Sequence, residues 1–223
     1  MLVDQRGPGR LHFASYYRWL IIRDWLCVAP DHRLLDVGCD DGEIVARIRA
    51  AHRTAVDLNP RCPDPAVRLV RADARAVPVV SAGFDTVLAF DLIEHVDDDR
   101  AVLRELVRAL APQGTLWIST PAAGFKIFPA FLTARANRGF GHVRNGYTLA
   151  DLRDRLPPGH ELDVMWWNEA VFRFLFAFLR LLDAASSPLA RWLAGLCFQF
   201  DRRFTAGQSG HLLARVRRAE QGP

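Results

Sequence analysis

Leu34-Leu35-Asp36-Val37-Gly38-Cys39-Asp40-Asp41-Gly42-Glu43 is the stretch from which the rest of this chain can be read. An apolar run interrupted by one acid turns through two glycines and leads into a segment of helical pattern, Glu43 to Ala51. Glycine lets a backbone approach a ligand closely, and a helix N-terminus offers free N–H groups. The interval between Gly38 and Gly42 is not the GxGxxG of a dinucleotide fold, which argues against NAD and FAD. Asp57 closes the next β-type run, Thr54-Ala55-Val56-Asp57, where a carboxylate can accept both hydroxyls of a ribose. Asp73, closing a third run, is placed to meet an adenine amino group.

Outward from the turn the pattern repeats. Further β-type runs are Val67 to Val70, Phe84 to Phe90 and Gly114 to Thr120, and a helical pattern spans Arg100 to Leu110. Strand alternating with helix predicts a mostly parallel sheet covered on both faces. The link from Leu58 to Val67 carries Pro60, Pro63 and Pro65 and has no room for a helix, so a stiff extended connection over a thinly covered patch of sheet is expected. An amphipathic helix is expected over His12 to Val28, ended by Ala29-Pro30. Ala122 to Arg144 reads as loop, and Thr148 caps a short helix, Leu149 to Leu156. Glu161 to Trp167 and His211 to Arg218 read as an antiparallel edge pair. Between them, Ala170 to Phe204 is helical and unusually apolar, in two pieces, Glu169 to Asp183 and Leu189 to Phe200.

At 223 residues, 50% hydrophobic and 24% charged, the chain suits one domain with a full core. The 4 cysteines are scattered without a CxxC pair, so reduced thiols of a cytoplasmic protein are expected. No secretory signal and no spanning helix are read. The net charge of +4 comes from arginines interleaved with acids, so nucleic acid is not the expected partner.

The residues from Leu34 to Pro121 resemble the class I S-adenosylmethionine-dependent methyltransferases, in particular the small-molecule type that includes quinone-biosynthesis enzymes. The glycine turn, Ala55-Val56-Asp57-Leu58, Ala72-Asp73-Ala74, Phe84-Asp85-Thr86-Val87, Ile93-Glu94-His95-Val96 and Leu110-Ala111-Pro112-Gln113-Gly114 carry the likeness. A weaker match, Gly141-His142-Val143-Arg144-Asn145-Gly146-Tyr147-Thr148, is similar to an HxRxYT element of one subset. This resemblance implies a Rossmann-like seven-stranded sheet, six strands parallel and one antiparallel, with the cofactor at the carboxyl ends of the first strands. It implies that Asp36, Gly38, Asp40 and Gly42 shape the pocket for the methionine end of the cofactor, and that Asp57 holds the ribose. Leu58 would pack on adenine, Asp73 and Ala74 would recognise its edge, and Phe90 would lie along the cofactor. Asp40 departs from the family, which usually has glycine there; an aspartate tolerates φ > 0 better than most side chains.

On this reading residues 1–223 form one methyltransferase domain: an N-terminal helix (12–28), a cofactor-binding core (34–121), a substrate-side loop and edge strand (122–168), a hydrophobic helical insert (169–205) and the last strand (207–219). His142 and His95 are the candidate bases for deprotonating an acceptor, with loop anchoring as the other role open to His142. Asp91, Glu94 and His95 form D-x-x-E-H, similar to the E-x-x-E-H at which some quinone O-methyltransferases bind a divalent cation; other members carry the E-H pair without one, and no metal is assigned. The absence of an N/D-P-P-Y after the fourth strand argues against methylation of nucleic-acid bases. Phe172 to Phe200 must be covered by the sheet, a second copy, an apolar or lipid-linked acceptor, or a membrane surface. The rival class is a non-catalytic protein that keeps the fold as a binding module, with Asp40 as its motive.

Overall fold

A computed structural model describes residues 12–124, 139, 141–203 and 210–219. Its frame is a seven-stranded sheet in the order β3-β2-β1-β4-β5-β7-β6. The strands are β1 (Arg33–Val37), β2 (His52–Asp57), β3 (Val67–Arg71), β4 (Phe84–Phe90), β5 (Leu110–Pro121), β6 (His160–Trp167) and β7 (His211–Arg218). The first five pair in parallel, and β7 runs antiparallel to both of its neighbours, β5 and β6. The expected edge pair is therefore one edge strand, β6, and one interior strand.

Two cores lie on opposite faces, sorted by the two-residue period of the strands. Leu34, Leu88, Trp117 and Leu213 point into one core, shared with α1 (Phe13–Arg23), α4 (Ala170–Ala185) and α5 (Ser187–Asp201). Leu35, Val87, Leu116 and Leu212 point into the other, under α2 (Asp99–Ala109) and α3 (Leu149–Arg155). Thr148 and Asp151 close a reciprocal capping box on α3.

One expectation is corrected. The helical pattern from Glu43 to Ala51 forms only a 3-10 turn, Val45–Arg47. Ile44, Val45 and Ile48 are β-branched, and the glycine turn takes up much of the connection before β2 begins at His52. The apolar insert is two helices, broken at Ser186, where Pro188 starts the second. The proline link has no helix, and Leu58 and Leu69 stand exposed beside it. Much of the 122–144 loop, and residues 207–209, lie outside the described residues.

α1 is fastened to the insert by a buried polar knot. The Tyr17 hydroxyl donates to Asp201 Oδ2 at 2.7 Å, and Trp167 Nε1 donates to the same hydroxyl at 3.0 Å. Asp201, the last residue of α5, also accepts the backbone N–H groups of Val171 (2.8 Å) and Phe172 (3.1 Å), capping α4 from a distant part of the chain. Tyr17 stacks on Phe172 with ring centroids 3.9 Å apart.

Candidate active site

At the carboxyl ends of β1 and β4, under α1 and α4, lies a cavity of about 570 Å³. Its lining includes Asp36, Gly38, Asp40, Asp57, Phe90, His95 and His142. The glycine turn that forms one wall needs its glycines: Gly38 has φ +79 and Gly42 φ +69, and a Cβ at Gly42 would stand 2.3 Å from the Arg61 carbonyl. Asp40, with φ 49, holds the same left-handed conformation without being glycine. Asp57 braces the turn, accepting the N–H of Asp40 at 3.1 Å and of Asn59 at 2.9 Å.

Asp36 is 3% exposed and makes no hydrogen bond or ion pair with any described residue. Burial, with the charges of Asp57 and Asp41, pushes its carboxyl up to about 7. Burial and the same two neighbours raise Asp40 as well. Such a wall suits a ligand that is cationic and rich in hydroxyls.

Four of the residues assigned from the resemblance, Leu58, Asp73, Ala74 and Gly42, are not among those lining the cavity. Leu58 is exposed. Both Asp73 oxygens are engaged by Arg75, at 3.0 Å from Nε and 2.6 Å from the guanidinium end, which holds this carboxyl down at about 2. Gly42 shapes the turn without lining the cavity.

The other end of the cavity holds a charge network that the local sequence patterns did not reveal. Asp91, also left-handed at φ 46, pairs with Arg18 from α1. His211, at the start of β7, stands between Asp91 (3.2 Å) and Glu169 (2.8 Å). Burial opposes the charged forms, yet Glu169 and Asp91 lift His211 to about 9, while Arg18 and His211 hold Asp91 well below the usual carboxylate range. Glu94, pushed up to about 8 by burial and by the charge of Asp91, accepts the Thr120 hydroxyl at 3.2 Å. Residues 18, 91, 169 and 211 meet through the packing of α1 and the strand order; Asp91 belongs to the D-x-x-E-H motif, but no local motif joins it to the other three.

His95 and His142 face each other with ring centroids 4.7 Å apart and planes nearly perpendicular. Burial first, then the neighbouring His95, lowers His142 to about 4, so its imidazole is neutral at neutral pH. Arg144 and Tyr147 hold this loop: the guanidinium contacts Asp99 and lies 2.8 Å from the Tyr147 hydroxyl, which itself lies 2.9 Å from the Ile93 carbonyl. Glu94, His95 and His142 bring one potential metal-ligand atom each within 4.8 Å of one another. Asp91 is not in that group, being committed to Arg18 and His211.

A doubly wound sheet with a glycine turn after β1 and a carboxylate after β2 defines the nucleoside-binding class of open α/β proteins. The particular family follows from comparison: the family model described as "Methyltransferase domain" matches residues 17–168, and the chain belongs to the class I S-adenosylmethionine-dependent methyltransferases. It is 38% identical over 171 residues to a ubiquinone biosynthesis O-methyltransferase of Xanthomonas oryzae, covering 67% of this chain and 70% of that protein. It is 28% identical over 151 residues to an uncharacterized methyltransferase of Mycobacterium tuberculosis, covering 63% and 68%. Among solved structures, an S-adenosylmethionine-dependent methyltransferase from Mesorhizobium loti superposes with a TM-score of 0.62 at 18% identity, covering 92% of this chain and all of that one. A phosphoethanolamine N-methyltransferase from Haemonchus contortus, in complex with S-adenosylhomocysteine, gives 0.59 at 16% identity, covering 92% of this chain and 52% of that one. The protein is a methyltransferase, its cofactor is S-adenosylmethionine and its other ligand a small-molecule acceptor. The residues present suit that cofactor: a glycine cradle closed to any side chain, a strand-end carboxylate for hydroxyls, and a buried acid without a partner.

Proposed function

We propose that this enzyme methylates a small, apolar or lipid-linked acceptor, in a single domain spanning the chain. The observation that carries the reading is the two-sided cavity. Carboxylates of the glycine turn and β2 line one end, and Tyr17, Phe172 and Phe176 roof the other above the network of Arg18, Asp91, Glu169 and His211. When bound, the cofactor supplies an electrophilic methyl group. Asp36, Gly38, Asp40 and Gly42 shape the site of its methionine end, Asp57 takes the ribose, and Phe90 lies alongside. Leu58, Asp73 and Ala74 are assigned to adenine, a role that asks Asp73 to give up part of its pairing with Arg75. His142, neutral and next to His95, takes the proton of an oxygen or nitrogen nucleophile, while Arg144 and Tyr147 anchor the loop that carries it.

The outer face of the same roof supports a lipid partner. Phe174, Phe178 and Leu181 on α4, and Leu189, Trp192, Leu196 and Phe200 on α5, are exposed, Leu181 to 75% and Trp192 to 61%. Arg180, Arg202 and Arg203 are exposed on the same helical pair or just beyond it, whereas its acids are buried or, like Asp183, paired with His12 at 3.3 Å. Apolar stripes flanked by unopposed arginines suit an anionic lipid surface. Among the described residues no helix is long and apolar enough to cross a membrane.

Cofactor labelled in its methyl group, incubated with enzyme and a detergent-solubilised lipid extract or an aqueous metabolite extract, tests the acceptor. Label is expected in the lipid fraction, lost in His142→Ala; label confined to the aqueous extract contradicts the reading. Flotation with anionic vesicles tests the surface: the wild type floats and a Phe174→Ser, Phe178→Ser variant stays below. A monomer that never floats removes the lipid partner.

A further inference from the structure

Asp91, Glu94, His95 and His142 line the cavity with oxygen and imidazole groups of the kind that divalent cations take as ligands. Asp91 heads the D-x-x-E-H motif, yet its oxygens are already spent. Oδ1 accepts the Ser119 hydroxyl at 3.0 Å and lies 3.2 Å from His211 Nε2, while Oδ2 meets the Arg18 guanidinium. Its backbone is fixed as well, with φ 46 and its N–H donating to the Ser119 carbonyl at 2.9 Å.

His211 is buried with a carboxylate against each ring nitrogen, Asp91 on Nε2 and Glu169 on Nδ1 at 2.8 Å. A neutral imidazole has one N–H and satisfies only one of them; the imidazolium donates to both. Burial opposes that charge, as does Arg18 with Nη2 at 3.4 Å, but Glu169 and Asp91 outweigh both and lift the ring to about 9. Because Glu169 begins α4, the same ion ties the roof to the sheet. Glu94, His95 and His142 still bring three ligand atoms within 4.8 Å of one another, but the charges of Arg18 and His211 reach Glu94 and His142 alike. A divalent cation there would sit in the field of two resident positive charges. The donor set does not fit one: its leading carboxylate is taken, and the charge that a cation would bring is already in place.

We propose that His211 stands in the place of a divalent cation, as a positioning residue that holds Asp91 and sets a positive charge at the acceptor end, so that methyl transfer by this chain needs no such cation. The proposal rests on the reading that this end of the cavity takes the acceptor.

Binding of Mn²⁺ to the full chain, followed by electron paramagnetic resonance under saturating S-adenosylhomocysteine, tests this without an acceptor. The wild type is expected to take up no Mn²⁺ through Asp91, so that Asp91→Asn binds it equally. His211→Gln removes the charge and releases Asp91; it should bind Mn²⁺ about tenfold tighter or more, a gain lost again when Asp91→Asn is added. Transfer of labelled methyl to the lipid extract should survive exhaustive chelation in the wild type. In His211→Gln it should fall about tenfold and recover on addition of Mn²⁺, a rescue that lost packing alone would not give. Where His211→Gln does not fold, Glu169→Gln, which takes away one of the carboxylates that hold the imidazolium, should show the same gain in smaller measure. A wild type that holds Mn²⁺ through Asp91, or whose transfer stops on chelation, overturns the proposal. So does a folded His211→Gln that binds Mn²⁺ no better than the wild type. Label that never enters the lipid extract overturns the acceptor reading instead, and the Mn²⁺ comparison still decides this one.

Discussion

Asp57 shows how one side chain joins structure to binding. It braces the turn through two backbone N–H groups and faces the cavity with its remaining lone pairs. Asp57→Ala should leave the circular dichroism spectrum unchanged and weaken S-adenosylmethionine by about tenfold or more, since hydrogen bonds to a charged group contribute roughly 1.5–3 kcal/mol each. Unchanged affinity would move the ribose elsewhere. Asp40 was legible as an oddity, and its φ of 49 explains it: the turn needs a left-handed residue and has one that tolerates the conformation less well than glycine, though better than most side chains. Asp40→Gly should raise unfolding stability by about 1 kcal/mol of relieved strain and keep or raise cofactor affinity. His211 gave no local signal at all, since its partners come from residues far away in sequence. Its pKa of about 9 lies above the ordinary 6.5, so its stabilisation is complete below about pH 6.5 and disappears as pH rises through about 9. Melting temperature should therefore fall from pH 7 to pH 9.5, and His211→Gln should start lower and lose that slope; an equal slope in both contradicts the charged histidine.

At the scale of elements, strands were easier to read than helices. Short apolar runs gave β1, β4 and β7 nearly to the residue, because a strand in a two-sided sheet is marked by its own composition. The stretch after Gly42 carried a helical pattern, but short tether and β-branched residues left a single 3-10 turn. The insert, by contrast, reads as two pieces on either side of Ser186-Ser187-Pro188, and its two helices meet at Ser186. What no local pattern could show is that α5 caps α4. Asp201→Asn leaves size unchanged but weakens three hydrogen bonds to a carboxylate that is raised by its burial. It should cost about 2–4 kcal/mol in denaturant unfolding, with loosening of α1 as well, because Tyr17 shares the same oxygen. A loss within a few tenths of a kcal/mol would mean that the helical pair stands without its cap.

At the scale of the molecule, the proposed reading gives the cofactor end to the sheet and the acceptor end to the helices. Motif residues of the core, from Asp36 to Asp57, are close in sequence and were legible together; the acceptor end needs α1, the end of β4, the start of α4 and β7 at once. That is why its roof of Tyr17, Phe172 and Phe176 and its network of Arg18, Asp91, Glu169 and His211 emerged only from the fold. Hydrogen exchange of the whole chain, with and without saturating S-adenosylmethionine, tests the joined site most directly. Slowed exchange is expected at 38–43 and 57–59 and at the 90–95 segment after β4, with a smaller effect along α1 and α4 where they close the cavity. Exchange that is unchanged at the turn and after β2, or slowed only at segments remote from this cavity, would contradict it.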